Sequence, residues 1–198
     1  MFVTFEGLDG SGKTTQAELL REHLVSAGRD VVATREPGGT ALGERIRALL
    51  LEGETMSAWA EVALFAAARA ELVEEVILPA LERGADVICD RYLDSSLAYQ
   101  GIARGLGVDE VLELNQRVVR GPMPDRTFLL LLDADDSERR LGPTADRIES
   151  AGRDFRRRVD RAYRELAARF PERIRSLDGT LSVEELARLI AEDLRVRV

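Results

Sequence analysis

Residues 6–15, EGLDGSGKTT, are the stretch of this 198-residue chain that decides its fold. Gly7, Gly12, Lys13 and Thr14 match the spacing G-x-x-x-x-G-K-[ST], between a β-rich segment and a helical pattern. The glycines let successive amide groups curl around one anion, and the helix that begins near Lys13 adds the positive end of its dipole. Lysine can reach the β- and γ-phosphates of a nucleotide, and the threonine hydroxyl can bind Mg²⁺. The pattern predicts a nucleoside triphosphate site made of Gly7, Leu8, Asp9, Gly10, Ser11, Gly12, Lys13, Thr14 and Thr15.

Strand-like and helical segments alternate along the whole chain. Such alternation is typical of βαβ units, in which a parallel sheet carries helices on both faces. We therefore predict an α/β protein with the P-loop NTPase fold, a parallel sheet of about five strands and a single domain over residues 1–198. One long helix from Ser57 to about Arg83 should be disturbed near Pro79, because proline cannot donate a backbone hydrogen bond. The predicted strands are 2–6, 30–34, 86–90, 127–133 and 173–177.

Polar residues end several of these predicted strands. Glu6, Thr34, Asp90 and Asp133 are the examples, and ligands of parallel sheets bind beyond the carboxyl ends of the strands. We therefore expect these side chains to meet at one edge of the sheet. Asp90 is predicted to hold Mg²⁺ together with Thr14, and the alternative is an ordinary charged surface turn.

Composition and charge argue against several classes of protein. Hydrophobic residues make up 45% and charged residues 32%, as in globular proteins, and the net charge of −8 disfavours binding to polymeric nucleic acid. Apolar runs such as Phe128–Leu132 and Val62–Ala68 are far short of the roughly 20 residues that span a bilayer, and we expect neither a membrane segment nor a signal peptide. Cys89 is the only cysteine, which is compatible with the reducing cytoplasm, where we expect the protein.

Five motifs extend the match over nearly the whole chain: GLDGSGKTT, TREPGGT, LFAAARAE, DRYLDSSLAYQG and DRIE. In this order they closely resemble the bacterial thymidylate kinases, and several of them are specific to that family. The resemblance implies transfer of the γ-phosphoryl group of ATP to dTMP, giving dTDP and ADP with Mg²⁺, as a step of dTTP biosynthesis. It also implies a homodimer, since the family is usually dimeric.

The resemblance assigns residues to the phosphate of dTMP. Arg47 and Arg91 match the cations that hold this phosphate, and a planar guanidinium engages phosphate oxygens in pairs. Without the resemblance, Arg47 reads as a solvent-facing helix residue. Glu36 is expected near the sugar and phosphate of dTMP, and Asp9 near the acceptor or its water.

The resemblance also assigns residues to the thymidine moiety. Phe65 would stack on thymine and Arg69, four residues later, would donate to a base carbonyl, although periodicity alone indicates a core position for Phe65. Ser96 and Gln100, again four apart, would read the polar edge of the base. Tyr99 would crowd the 2′ position of the sugar and favour deoxyribose.

A lid of about residues 137–149 is expected to close over the transferred phosphoryl group. Gly10 stands where some family members carry an arginine, and members with glycine there supply an arginine from the lid instead. This lid looks short, and Gly142–Pro143 stands where a further arginine is often found. Arg147 is expected to contact ligand phosphates, and Arg139 and Arg140 are the candidates for the transition-state arginine. The predicted catalytic set is Lys13, Arg91, Arg139, Arg140 and Arg147.

Two other functions fit the phosphate loop. One is a kinase for AMP or shikimate, which the blocks LFAAAR and SSLAYQG disfavour. The other is a regulatory P-loop ATPase, which has no need of a second set of phosphate-binding arginines such as Arg47 and Arg91. The sequence favours a thymidylate-type kinase over both.

Overall fold

The computed structural model describes residues 1–141, 147–148 and 152–196. Within them the chain forms a parallel five-stranded sheet with the strand order β2-β3-β1-β4-β5. The α/β prediction is confirmed, and the bounds of β2, β4 and β5 differ from those predicted by one or two residues. The strands are β1 (Phe2–Glu6), β2 (Val31–Arg35), β3 (Asp86–Asp90), β4 (Arg126–Leu131) and β5 (Ile174–Asp178).

Helices connect these strands. The predicted single helix from Ser57 is divided, because a π-helical segment, Val73–Ile77, precedes Pro79. The ring of a proline crowds the carbonyl group four residues earlier, so a regular α-helix cannot continue through it. The helices are α1 (Lys13–Ser26), α2 (Ala41–Leu51), α3 (Ala58–Leu72), α4 (Leu78–Glu82), α5 (Leu93–Ser96), α6 (Val108–Val119), α7 (Ala134–Leu141), α8 (Arg153–Arg169) and α9 (Val183–Asp193).

Apolar side chains cover both faces of the sheet. Successive residues of a strand point to opposite faces, so Phe2 joins the core under α3, α6 and α8, while Val3 and Phe5 join the core under α1 and α9. All of β1 is buried, as expected for the central strand of a sheet covered by helices. Within the described ranges, no helix has the length and apolar character that crossing a membrane requires.

The order of the strands brings the predicted site residues together. β3 lies between β2 and β1, and Asp90 at its end is in register with both Arg35 and Phe5. The loops that follow β1, β2 and β3 therefore meet at one edge of the sheet. Asp133 is a correction to the prediction, because it lies beyond the end of β4, is exposed and pairs with Arg164 at 3.7 Å.

Candidate active site

The phosphate loop has the backbone that its glycines predict. Gly7, Gly10 and Gly12 have φ values of 136°, 77° and 97°, which L side chains rarely adopt. A Cβ atom at Gly7 would also collide with the carbonyl oxygen of Leu130. The amides at the start of α1 have no side-chain cap among the described residues, and the buried Ser11 Oγ has no hydrogen-bond partner there. Unpaired donors around a hollow fit a phosphate group.

Lys13 lies beside this hollow. Its Nζ donates to the carbonyl oxygen of Leu8 at 2.8 Å and lies 3.5 Å from Asp9 Oδ1, and the residue is buried. Burial lowers the pKa of Lys13, as does the nearby Arg91, while Asp9 opposes the shift. A bound polyphosphate would supply negative charge beside an ammonium group that the protein only partly neutralises.

Thr14 and Asp90 provide oxygen ligands at the same edge. Thr14 Oγ1 donates to Asp90 Oδ2 at 2.5 Å, although the two residues are far apart in the sequence. The described part of the chain contains no group of three or more His, Cys, Asp or Glu residues that could hold a metal. Mg²⁺ commonly takes one or two protein oxygens together with phosphates and water, so this hydroxyl and carboxylate fit the predicted Mg²⁺.

Arg91 connects the phosphate loop to a second cavity. Its Nη2 lies 2.6 Å from Asp9 Oδ1, and its Nη1 donates to Ser95 Oγ and Tyr163 Oη, each at 3.1 Å. Arg91 has a positive φ of 70°, and its guanidinium lies over the ring of Tyr99 at 5.5 Å. A backbone conformation of this kind in a non-glycine residue is uncommon and is held by the surrounding contacts.

Glu6 supports this arrangement, and the sequence assigned it no role. The carboxylate is buried and accepts from Tyr92 N at 2.8 Å, from Ser95 Oγ at 2.6 Å and from Tyr163 Oη at 2.8 Å. Burial raises the pKa of Glu6, and Asp94 raises it further, while Arg91 opposes the shift. Its position at the end of an apolar strand was the only signal in the sequence.

Two adjoining cavities share four residues. The larger, of about 1120 Å³, extends over the phosphate loop, and the smaller, of about 100 Å³, lies between α2, α3 and the segment after β3. Arg47, which donates to the carbonyl oxygen of Pro37 at 2.9 Å, is half-buried rather than solvent-facing. The shared residues are Asp9, Glu36, Arg47 and Arg91.

The smaller cavity contains the predicted base and sugar residues. Phe65, Ser96, Tyr99 and Gln100 line it, and Tyr99 and Gln100 belong to the π-helical segment Leu97–Ala103. The ring of Phe65 is partly buried against the core, so it contacts both the core and the cavity. One aromatic wall and two short polar side chains fit a flat heterocycle.

Arg69 lies behind this cavity instead of among the described residues that line it. The side chain is 1% exposed, and its Nη2 lies 2.6 Å from Glu36 Oε2. The same guanidinium donates to Asn115 Oδ1 at 2.5 Å and to Ser96 Oγ at 3.0 Å. In this arrangement Arg69 does not reach the cavity itself, as had been expected. It contacts the cavity residue Ser96 instead. Burial raises the pKa of Glu36 to about 7, although Arg69 opposes the shift.

The lid arginines separate into different environments. Arg140 reaches the larger cavity, where its Nη1 donates to the carbonyl oxygens of Gly10 at 3.3 Å and Gly179 at 3.1 Å. Arg139 pairs with Asp136 on the exposed side of α7. Arg147, expected at ligand phosphates, instead donates to Glu61 Oε2 at 2.7 Å. Residues 142–146 and 149 of the predicted lid lie outside the described residues, and so does the predicted departure at Gly142–Pro143.

Comparison with known proteins shows the family of the chain. The family model of thymidylate kinase matches residues 5–190. A thymidylate kinase of Bifidobacterium longum (strain DJO10A) is 51% identical over 200 residues, covering 98% of this chain and 97% of the relative. A thymidylate kinase of Pelotomaculum thermopropionicum is 50% identical over 185 residues, covering 90% and 85%.

A solved structure is similar as well. The crystal structure of thymidylate kinase from Ehrlichia chaffeensis superimposes with a TM-score of 0.81 at 34% sequence identity, covering 99% of this chain and 98% of that one. The phosphate loop, the adjoining arginine-lined cavity and these similarities lead to one conclusion. The chain belongs to the thymidylate kinase family.

Proposed function

We propose that dTMP binds in the smaller cavity and that ATP binds over the phosphate loop, with their phosphates meeting at the residues that both cavities share. As a member of the family, the chain is an ATP-dependent nucleoside monophosphate kinase, which transfers the γ-phosphoryl group of ATP to dTMP and gives ADP and dTDP. The observation that carries the placement is that Asp9, Glu36, Arg47 and Arg91 line both cavities.

The donor side is assigned to the phosphate loop. The amides around Gly10 and Gly12 bind the ATP phosphates, and the ammonium of Lys13 reaches the β- and γ-phosphates. Thr14 and Asp90 hold Mg²⁺, which, when bound, neutralises phosphate charge. Lys13 neutralises the transferred group in a site where the protein excludes part of the solvent.

The acceptor side is assigned to the arginines and the small cavity. Arg47 and Arg91 bind the phosphate of dTMP and reduce its repulsion from the ATP phosphates. Phe65 stacks on the base, while Ser96 and Gln100 contact its polar edge and Tyr99 limits space at the sugar. The acceptor phosphate is already an anion, so no side chain needs to remove a proton from it at neutral pH.

Among the three lid arginines we assign Arg140 to the transferred phosphoryl group. The support is its position in the larger cavity, above Gly10. A guanidinium at this place neutralises charge that spreads over the phosphoryl oxygens during transfer. Arg147 has a different role, since its guanidinium is held by Glu61.

A panel of phosphoryl acceptors tests which acceptor the protein uses. ADP release is measured with ATP, Mg²⁺ and either dTMP, dCMP, AMP or shikimate as acceptor. We expect dTMP to give the largest kcat/KM, and a preference for AMP or shikimate would contradict the proposal. The same ADP release without any acceptor would favour a regulatory ATPase.

We further propose that the protein works in the cytoplasm as a homodimer. The support for the dimer is a set of exposed large apolar side chains on α2 and α3, among them Leu49 and Trp59, which are 55% and 51% exposed. Light scattering after size-exclusion chromatography tests it, and a mass of one chain of 21.9 kDa at micromolar concentration would contradict it.

A further inference from the structure

Glu61 is a buried carboxylate that no part of the phosphoryl transfer uses. It lies in the first turn of α3, and the residue is 1% exposed. Its Oε1 accepts from Gln100 Nε2 at 2.8 Å and from Arg104 Nε at 2.6 Å. Its Oε2 accepts from Arg104 Nη2 at 2.9 Å and from Arg147 Nη2 at 2.7 Å. A buried carboxylate therefore connects the side chain of a cavity residue to two arginines.

Glu61 stays ionised in this environment. Burial disfavours the charged form, but the hydrogen bonds from Gln100, Arg104 and Arg147 outweigh burial and lower the pKa of Glu61. An ionised carboxylate accepts hydrogen bonds and has no proton to donate. Every group that contacts Glu61 through a hydrogen bond must therefore present a donor to it.

This requirement removes an ambiguity from Gln100. A glutamine amide has a donating nitrogen and an accepting oxygen of nearly the same shape, and either can in general face a ligand. Here the nitrogen must face Glu61, which leaves the carbonyl oxygen for the cavity that Gln100 lines. Gln100 then presents its carbonyl oxygen as an acceptor to a bound base, and the second hydrogen of Nε2 is the one donor that it has left.

We propose that Glu61 is a positioning residue that selects the acceptor base, because it holds Gln100 with its carbonyl oxygen towards the cavity. The proposal rests on the placement of dTMP in the smaller cavity. The N3 position of thymine is a hydrogen-bond donor, which satisfies Gln100. The N3 position of cytosine is an acceptor, so its lone pair would face the lone pairs of the Gln100 carbonyl oxygen and repel them.

Ser96 completes the pattern from the other side. Its Oγ accepts from Arg69, which can only donate, so the hydroxyl hydrogen of Ser96 remains to donate to a base carbonyl. At C4, next to N3, thymine has a carbonyl group, whereas cytosine has an amino group. Two buried groups of fixed polarity, Glu61 and Arg69, thus give the cavity one donor and one acceptor in the order that thymine needs.

The test is the substitution Glu61→Gln, because a glutamine at this position can donate as well as accept and lets the amide of Gln100 turn over. We expect the ratio of kcat/KM for dCMP to kcat/KM for dTMP to rise about tenfold or more, the scale of one specificity-determining hydrogen bond. The matched control is Glu113→Gln, which makes the same chemical change at an exposed glutamate paired with Arg117 and should leave the ratio unchanged.

Further variants make each outcome decisive. An equal loss of kcat/KM for both nucleotides in Glu61→Gln would overturn the proposal and indicate a purely structural role. Gln100→Ala tests the placement of dTMP separately, since an unchanged KM for dTMP would contradict that placement rather than the role of Glu61. If Glu61→Gln does not fold, it is combined with Arg104→Met, which removes the charge left unpaired. The same ratio of kcat/KM for dCMP to kcat/KM for dTMP is then measured in the double variant.

Discussion

Asp9 Oδ1 lies 2.6 Å from Nη2 of Arg91, so an ion pair joins the phosphate loop to the residue that follows β3. The same guanidinium lines both cavities. Arg91 is therefore placed where an acceptor phosphate would approach the phosphates over the loop, and Asp9 fixes its orientation.

Arg91→Lys should lower kcat/KM for dTMP about 100-fold. Lysine keeps the charge, but its ammonium cannot contact Asp9 and a phosphate through separate, planar donors as a guanidinium does. Steady-state kinetics with dTMP as the varied substrate measure the effect. A lysine variant within twofold of the wild type would show that charge alone is sufficient at this position.

Arg140→Ala should lower kcat about 100-fold, with little change in the KM values, because an arginine that acts on the transferred group stabilises mainly the transition state. Arg139→Ala is the matched control, since Arg139 is the adjacent arginine and its exposed side chain pairs with Asp136. Single-turnover measurements of dTDP formation separate the chemical step from product release. Equal rates in the two variants would rule out the assignment of Arg140.

Asp90→Asn should raise the Mg²⁺ concentration needed for half-maximal activity about tenfold or more, because the amide removes a negative charge beside Thr14 Oγ1. Asp133→Asn makes the same change at an exposed aspartate and should behave as the wild type. Initial rates over a Mg²⁺ titration at fixed ATP provide the comparison. The prediction fails if the two variants have the same Mg²⁺ dependence.

Arg69→Ala should weaken dTMP binding much more than ATP binding, since Arg69 holds Ser96 and Glu36, which line the smaller cavity. It should also destabilise the fold by about 1–3 kcal/mol, because Glu36, Ser96 and Asn115 lose the buried donor that they share. Calorimetric titration with each nucleotide, below the melting temperature, measures the two affinities. Equal losses for dTMP and ATP would refute a specific role at the acceptor cavity.

The pKa of Glu36 predicts a pH dependence of stability. Burial raises this pKa from 4.5 to about 7, so the folded state binds more protons than the unfolded state between these values. The free energy of unfolding should therefore decrease as pH rises through this window, by roughly 3 kcal/mol from this group. Urea denaturation at several pH values measures the slope, and Glu36→Gln should reduce it. An unchanged slope in that variant would contradict the shift.

Much of the donor site could be predicted because its chemistry lies within one short segment. The conformations of Gly7 and Gly12 follow from local backbone sterics, and Lys13 and Thr14 follow in the same loop and helix. Asp90 could be predicted because an acidic residue that ends an apolar strand must lie at the carboxyl edge of the sheet. These features depend on residues that are neighbours in the sequence.

The partners of other site residues could not be predicted from the sequence. Glu6 and Tyr163 are bonded across 157 positions, and Glu61 and Arg147 across 86. The sequence does not show these pairs, because the two partners are brought together only by the packing of helices and loops on the sheet. Arg147 was expected at ligand phosphates because of the DRIE motif, whereas its guanidinium donates to Glu61.

The sequence by itself determined the fold class, the phosphate loop and the family, because all three depend on periodic patterns and motifs that are complete within short segments. The tertiary structure alone decided which of the lid arginines faces the phosphate loop, that Arg69 lies behind the cavity, and that Glu61 holds Gln100. The physical reason is that a helical pattern defines the faces of a helix, whereas the partners on each face depend on how the helices pack against the rest of the fold.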